Sequence, residues 1–181
     1  MLRSIEQIHA VRILHGDIKP DNWLVASGKP DSTLIDSRNA RLCGSSFTAG
    51  DLCLIDYGRA IDMSFYPPGT TFVGDCHTRG FQCVEMLLSR PWTFQIDTFG
   101  FLGTIHCMLF GSYMEARCHK VRGSPIRWGI SKTFKRYWQV SMWKEVFDSL
   151  LNVPSCDEQP SLSRLRHRLE RYFASDRRRQ Q

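Results

Sequence analysis

The sequence predicts a mainly α-helical domain that carries one small β-hairpin. Residues 95–110 are apolar on nearly every side of a predicted helix, which is typical of a helix buried in the middle of a domain. Residues 143–151 and 162–173 place apolar side chains at i, i+3, i+4 and i+7, the spacing of helices that bury one face. Two short apolar runs, 23–25 and 52–55, lie between polar loops and have the length of strands. The 181 residues, 42% of them hydrophobic, are enough for one such core.

The first part of the chain is predicted to form a helix, the hairpin and an insertion. Apolar residues at helical intervals predict an amphipathic helix over 2–13, which ends before Gly16. The runs 23–25 and 52–55 then pair as the two strands of the hairpin. Between them, residues 27–50 are rich in Ser, Gly, Asp, Arg and Thr and lack periodicity. We therefore predict a mobile surface insertion there, in which only Thr33, Leu34 and Ile35 have strand character.

The second part is predicted to be helical apart from loops and a tail. Residues 63–79 contain two prolines and two glycines, which favour a loop. After Gly80 the pattern becomes helical, with breaks at 90–91 and 117–129. The last helix closes the domain at residue 173, and residues 174–181 form a basic tail.

Composition excludes several classes of protein. The longest apolar run, 99–110, falls short of the roughly 18 residues that a membrane span needs, so we expect no membrane span. The start of the chain lacks the pattern of a signal peptide, which favours the cytosol or nucleus. Seven cysteines without a Cys-x-x-Cys pair predict reduced thiols rather than disulfides or a zinc site. The net charge of +6 includes Arg177, Arg178 and Arg179, which we interpret as a solvated terminus rather than a nucleic-acid surface.

Four polar side chains lie at the boundaries of predicted elements. Asp17, Lys19 and Asn22 share the loop before the first strand, and Asp56 directly follows the second strand. Because the hairpin brings both loops to one edge, we expect Asp17, Asn22 and Asp56 to lie together. One carboxylate and one amide oxygen, completed by phosphate oxygens, suit Mg²⁺. A second carboxylate, Asp17, is suited to accept a proton from a hydroxyl, and Lys19 to neutralise a phosphoryl group.

These residues resemble the motifs of eukaryotic protein kinases. His15 to Asn22, HGDIKPDN, is similar to the catalytic loop, and Asp56-Tyr57-Gly58 is similar to the metal-binding Asp-Phe-Gly motif. The resemblance is closest to the Bub family of mitotic-checkpoint kinases and extends over most of residues 5–173. The segments that carry it there are Gly16–Asn22, Gly80–Met86, Gln95–Asp97 and Cys107–Gly111.

The resemblance implies the C-terminal lobe of a Ser/Thr protein kinase that uses ATP and Mg²⁺. In that frame Asp17 is the catalytic base, Lys19 contacts the γ-phosphate, and Asn22 and Asp56 bind Mg²⁺. Residues 56–85 form the activation segment. The implied partners are protein substrates with Ser or Thr together with kinetochore and checkpoint proteins, and the implied locations are nucleus, kinetochore and cytoplasm.

Further supporting positions carry over from the family. Thr78 stands where Ser/Thr kinases have a threonine that contacts the catalytic Asp and Lys. Glu85 is expected to pair with a buried arginine, for which Arg166 is the candidate. Asp97 is expected to accept hydrogen bonds from the backbone of the catalytic loop.

Taken one at a time, the motifs are weak. A lone Asp-x-Lys-x-x-Asn is more often a turn than a catalytic site. Several motifs in the right order, in contrast, are a specific indication of a protein kinase. We interpret His15 and Tyr57 as packing residues, and we expect no catalytic role for His77 or His106.

The sequence also departs from the kinase pattern. Gly16 replaces the arginine that reads a phosphorylated activation segment, so we expect activity without that phosphorylation. Val84 and Tyr57 are milder replacements. No Gly-x-Gly-x-x-Gly occurs and no lysine precedes Lys19, so the N-terminal β lobe is predicted to be absent and the isolated chain to have little activity. The alternative is a truncated, non-catalytic binding platform.

Overall fold

A computed structural model describes residues 1–25, 52–75, 80–119 and 126–177 of the chain. Most of the described regular structure is helical, and the strands are short. The helices are α1 (Leu2–Ala10), α2 (Val84–Leu87), α3 (Gln95–Phe110), α4 (Val140–Leu151) and α5 (Leu162–Arg177). The strands are β1 (Ile13–Leu14), β2 (Trp23–Val25), β3 (Leu52–Leu54), β4 (Ile61–Asp62), β5 (Ala116–His119) and β6 (Arg127–Ile130). Short 3₁₀ turns cover Pro20–Asn22, Tyr57–Arg59 and Met63–Phe65.

The strands form antiparallel pairs. In the predicted hairpin, β2 pairs with β3 so that Trp23 faces Leu54 and Val25 faces Leu52. The first strand, β1, pairs with β4, which lies after the second loop, and β5 pairs with β6. The pairs β1·β4 and β2·β3 therefore lie on either side of the same two loops.

The core is built around α3. Its bounds are those predicted, and its buried side chains lie on all sides, as its apolar sequence requires. The helix ends at Gly111, whose φ of 67° is the left-handed conformation that glycine adopts easily at a helix end. In the described residues, no helix combines the length and apolar character needed to cross a membrane.

The predicted end of α1 is wrong. The helix stops at Ala10, and Arg12 adopts a left-handed φ of 62° before the chain enters β1. A non-glycine residue rarely adopts this conformation, so the sequence carries no glycine signal for the stop. Tertiary bonds hold the turn, because the Met63 N–H donates to the Arg12 carbonyl and the Arg12 guanidinium donates to the Met63 carbonyl at 2.8 Å.

The predicted break at 117–129 contains strands instead. The strands β5 and β6 are only four residues long and partly exposed, and β6 contains a glycine, so neither gives a strong strand signal. A side chain from the end of α4 stabilises β6. The Trp128 N–H donates to Asn152 Oδ1 at 2.7 Å, and Asn152 Nδ2 donates to the Trp128 carbonyl at 3.0 Å.

Two other boundaries differ. Helix α5 continues to Arg177, so the basic tail does not begin at residue 174. The predicted loop 63–79 contains a 3₁₀ turn, and its Phe72 pairs with Trp92 through two backbone hydrogen bonds of 2.8 and 2.9 Å. The predicted insertion at 27–50, with its strand-like residues 33–35, lies outside the described residues.

A buried histidine in α3 should make stability depend on pH. His106 is fully buried, its Nδ1 lies 2.8 Å from the Ser112 carbonyl, and burial lowers its pKa below the ordinary 6.5. The unfolded chain therefore takes up this proton more readily than the folded chain. We expect the free energy of unfolding to fall as the pH drops below 6.5, as measured by urea denaturation. The His106→Asn variant, which keeps a donor for Ser112, should show a weaker pH dependence, and an unchanged one would contradict this prediction.

Candidate active site

Two loops run side by side between the strand pairs. Residues 15–22 connect β1 to β2, and residues 55–60 connect β3 to β4. Since β1 pairs with β4 and β2 with β3, each loop is fixed at both ends against the other. The Ile55 N–H donates to the Asn22 carbonyl at 3.0 Å, which extends the pairing into the loops.

Three of the predicted site residues are bonded to one another in the first loop. Lys19 Nζ lies 2.7 Å from Asp17 Oδ2. The side-chain amide of Asn22 donates to the backbone carbonyl of Asp17 at 2.7 Å and reaches Oδ2 at 3.3 Å. Asp17 and Asn22 are buried, whereas the Lys19 side chain keeps 27% of its surface exposed. The carboxylate thus has a fixed position beside a cation that still faces solvent.

Asp56 lies at the start of the second loop. It follows Ile55, whose backbone is bonded to Asn22 and whose carbonyl lies 3.0 Å from His15 Nε2. The backbone of Asp56 is left-handed, with a φ of 63°, a conformation that Asp tolerates better than most residues. Its carboxylate accepts the Gly58 N–H at 3.3 Å and remains exposed. The left-handed turn at Asp56 therefore places an exposed carboxylate beside the residues around Asn22.

His15 connects the two loops and is fully buried. Its Nδ1 accepts the Asp17 N–H at 3.3 Å, so Nε2 carries the proton and donates to the Ile55 carbonyl at 3.0 Å. The ring also packs against Tyr57, with 4.7 Å between ring centroids. Both ring nitrogens are therefore used to hold the loops together.

A buried carboxylate from α3 holds the first loop from behind. Asp97 is fully buried and accepts the His15 N–H at Oδ2 and the Gly16 N–H at Oδ1, each at 2.8 Å. A buried charge is costly unless it is hydrogen-bonded, and backbone N–H groups provide that here. The backbone immediately before Asp17 is thus tied to the central helix.

Glycines let the loop approach its neighbours closely. Gly16 has a φ of +77°, and a Cβ there would lie 2.8 Å from the Arg59 carbonyl oxygen. In α3, a Cβ on Gly100 would lie 2.3 Å from the Ile18 carbonyl oxygen. A side chain at position 16 would therefore collide with the second loop, which is a steric reason for glycine where the kinase pattern has arginine.

Gly16→Ala is expected to destabilise the chain more than Gly69→Ala. Both glycines have a left-handed φ, +77° and +81°, which costs an alanine about 1–2 kcal/mol. Only Gly16 adds a steric contact, since a Cβ on Gly69 meets nothing within 4 Å. Urea denaturation should show a further loss of about 1 kcal/mol or more for Gly16→Ala. Equal losses would mean that the second loop moves aside freely.

The expected ion pair between Glu85 and Arg166 is wrong. Arg166 lies in α5 and bonds to Glu6 in α1 at 2.7 Å and to Glu170 at 3.0 Å. Burial raises the pKa of Glu85, and the described cation that opposes this shift is Arg90. The other supporting residue, Thr78, lies outside the described residues.

Two residues of the site, His9 and Gly100, are not predicted by the sequence motifs. His9 in α1 places Nε2 2.8 Å from Asp97 Oδ2, and Gly100 brings α3 against the loop. His9 follows Leu2 and Ile5 by seven and four residues, so it lies on the buried face of α1. That spacing was the available signal for His9, whereas a glycine inside an apolar helix points to close packing without naming the neighbour.

Comparison with known proteins identifies homologues of the chain. No protein-family model matches the chain. It is 44% identical over 178 residues to the mitotic checkpoint serine/threonine-protein kinase BUB1 of Arabidopsis thaliana, and 43% identical over 171 residues to the protein of the same name from Mus musculus. These alignments cover 97% and 94% of the chain. The chain is a homologue of the Bub checkpoint kinases. The resemblance inferred from the motifs is thereby confirmed.

The structure agrees with this homology. It matches the crystal structure of the BubR1 kinase domain with a TM-score of 0.76 and 37% sequence identity. The match covers 97% of this chain and 47% of that kinase domain. The chain spans 33% of the Arabidopsis BUB1 and 15% of the mouse BUB1. Its helices and small sheets therefore correspond to about half of a Bub-family kinase domain.

Proposed function

We propose that these residues form the catalytic-loop half of a Bub-type Ser/Thr protein kinase that transfers phosphate from ATP to protein hydroxyls. The observation that supports this most strongly is the pair of adjacent loops, in which Asp17, Lys19 and Asn22 are bonded together next to Asp56. Phosphoryl transfer depends mainly on positioning and electrostatic stabilisation, and this arrangement provides a base, a cation and two oxygen ligands.

The residues divide the chemical work between them. Asp17, held by Lys19 and Asn22, orients the substrate hydroxyl and accepts its proton. Lys19 is close enough to Asp17 to neutralise the phosphoryl group that approaches the hydroxyl. Thr78 is proposed to contact both, as in Ser/Thr-specific kinases. Asp97 keeps the loop backbone in place without touching substrate.

The donor set fits Mg²⁺ with ATP. Asn22 turns its amide hydrogens to Asp17, which leaves the carbonyl edge of the amide as an acceptor, and Asp56 offers an exposed carboxylate. Hard oxygen ligands of this kind, completed by phosphate oxygens and water, are those that Mg²⁺ takes. When bound, Mg²⁺ would neutralise charge on the phosphates of ATP.

A graft tests the proposal. The aligned segment of Arabidopsis BUB1 would be replaced by residues 1–181 of this chain, and phosphorylation of a Ser-containing peptide would be measured with Mg²⁺ and labelled ATP. We expect activity from the graft and little from the 181 residues alone, since the sequence has no Gly-x-Gly-x-x-Gly. A graft that unfolds cooperatively with heat, as the host does, yet transfers no phosphate would refute the proposal.

The second candidate function is a non-catalytic, kinase-like binding platform. The 181 residues contain no Gly-x-Gly-x-x-Gly, so these residues by themselves could bind a partner without transferring phosphate. The bonded set of Asp17, Lys19 and Asn22 favours catalysis, because binding a partner does not need that chemistry. A graft that folds but transfers no phosphate would favour the binding-platform function over catalysis.

Partners and regulation follow from the same proposal. We infer that the intact protein acts with checkpoint and kinetochore proteins during mitosis, in the nucleus and cytoplasm. Gly16 cannot bind an activation-segment phosphate, and the pairing of Phe72 with Trp92 holds that segment through backbone bonds instead. Activity is therefore proposed not to require phosphorylation of that segment.

A further inference from the structure

The positive charge of the chain is concentrated in one stretch of sequence. Residues 116–144 contain eight Lys or Arg and no Asp or Glu. The whole chain has a net charge of +6, so the residues outside this stretch together carry a small negative charge. Such a separation of charge indicates a surface for a negatively charged partner, because solvated side chains alone do not require it.

Part of this charge is neutralised within the protein. Arg117 and Arg127 form ion pairs with acidic side chains that lie outside the stretch. Lys132, Lys135 and Arg136 are exposed, and among the residues that the structure describes they form no ion pair. The positive charge that remains available for a partner therefore lies on the turn that carries these three side chains.

Aromatic packing holds this basic turn, residues 131–138, in one conformation. Phe134 is buried, and its ring centroid lies 5.5 Å from that of Phe147 in α4. The Trp138 ring packs against the end of α3, and its backbone N–H donates to the Lys135 carbonyl at 2.9 Å. Because the backbone that carries the cations is fixed in advance, a partner has little ordering entropy to overcome when it binds.

An exposed aromatic ring lies beside the cations. Tyr137 is 74% exposed. Lys135 Nζ lies 6.0 Å from the centre of the Tyr137 ring and 5.1 Å from that of Trp138. The two rings attract the ammonium group and so restrict its position. An exposed Tyr next to an exposed Arg is the combination that protein–protein interfaces favour.

We propose that the basic turn binds an acidic segment of a partner protein. A few neighbouring carboxylates fit Lys135 and Arg136, and an apolar group between them fits Tyr137. A nucleic-acid surface usually neutralises about six to ten phosphates, more than the cations of one turn can contact. The binding does not depend on the proposed catalytic function, because none of these residues lies in the catalytic loop.

Fluorescence anisotropy with the 181-residue chain tests the proposal. The probe is a labelled 12-residue peptide of alternating Glu and Ser, and its control has Gln in place of every Glu. We expect the Glu peptide to bind about 10-fold or more tightly than the Gln peptide at low ionic strength, and added salt to weaken it. Equal binding of the two peptides would overturn the proposal.

Two matched double variants show whether the basic turn is the binding surface. Lys135→Gln with Arg136→Gln should raise the Kd for the Glu peptide by about 5-fold or more. Arg164→Gln with Arg171→Gln removes the same charge from exposed positions on α5 and should change the Kd by less than about 2-fold. Equal weakening by the two double variants would mean that net charge alone attracts the peptide, and the proposal would fail. Urea denaturation should give the same midpoint for both, since all four side chains are exposed.

Variants of Tyr137 and a nucleic-acid probe test the kind of partner. Tyr137→Phe keeps the ring and should leave the Kd nearly unchanged, whereas Tyr137→Leu should raise it by about 3-fold. Unchanged binding by Tyr137→Leu would overturn the role of the ring. A 20-nucleotide single-stranded DNA that binds more tightly than the Glu peptide, and loses affinity in the Lys135 and Arg136 double variant, would replace the acidic protein by nucleic acid.

Discussion

Replacing Asp17 with asparagine in the graft is expected to slow peptide phosphorylation by about 10³-fold, within the range for loss of a general base. Asparagine has nearly the same shape, so the loop should keep its fold. Its side chain has no charge to pair with Lys19, which lies 2.7 Å from the carboxylate, and it cannot accept the hydroxyl proton. The effect should appear in kcat rather than in KM for the peptide, because the lost interaction belongs to the reacting state.

Asp21→Asn provides the matched control for this experiment. Asp21 lies in the same loop and is exposed, whereas Asp17 is buried. We expect its replacement to leave kcat within about 2-fold, since a substitution of an exposed side chain usually changes little. If both variants lose activity equally, the charge of the loop rather than a base is responsible. If neither does, Asp17 has no catalytic role.

Gly100→Ala is expected to separate α3 from the catalytic loop. The added Cβ would lie 2.3 Å from the carbonyl oxygen and 2.8 Å from the Cβ of Ile18, far inside normal contact. Ile18 is buried and follows Asp17 directly, so the strain falls on the proposed base. Overpacking of this kind costs about 1–3 kcal/mol, which exceeds the gain of up to about 1 kcal/mol from replacing glycine in a helix. We expect a lower free energy of unfolding and a graft activity reduced by about 10-fold or more.

Gly103→Ala, one turn further along α3, separates general damage to the helix from the specific contact with the catalytic loop. Its Cβ would meet a ring carbon of Phe81 at 2.9 Å rather than backbone. A ring edge can shift with its side chain, whereas the Ile18 carbonyl belongs to the anchored loop. We expect Gly103→Ala to be less destabilising than Gly100→Ala and to leave kcat nearly unchanged. Similar loss of activity in both variants would show that general damage to α3, and not the loop contact, is responsible.

Elements set by local pattern were predictable from the sequence. The bounds of α3 follow from its apolar run and from Gly111, and the pairing of β2 with β3 follows from two short apolar segments. The turn at Arg12 and the strands β5 and β6 were missed, because hydrogen bonds to distant residues hold them. A strand of four residues gives too short a pattern for a prediction to use.

The site was predictable to the extent that its motifs are contiguous. Asp17, Lys19 and Asn22 lie within six residues of one loop, so their closeness in space could be expected. The partner of Arg166 depends on which helix packs against α5, and that helix is α1 with Glu6. His9 and Gly100 act through residues that are distant in sequence, so one sequence without the fold gives no direct indication of either role.

The left-handed turn at Gly16 limits which mutations this lineage can accept. A single codon change to arginine would have to place a side chain where the second loop already has a carbonyl group. An arginine at this position would therefore also require the backbone around Arg59 to move away. Because a substitution here needs a second change in the facing loop, Gly16 is expected to be replaced more rarely than an exposed glycine such as Gly69.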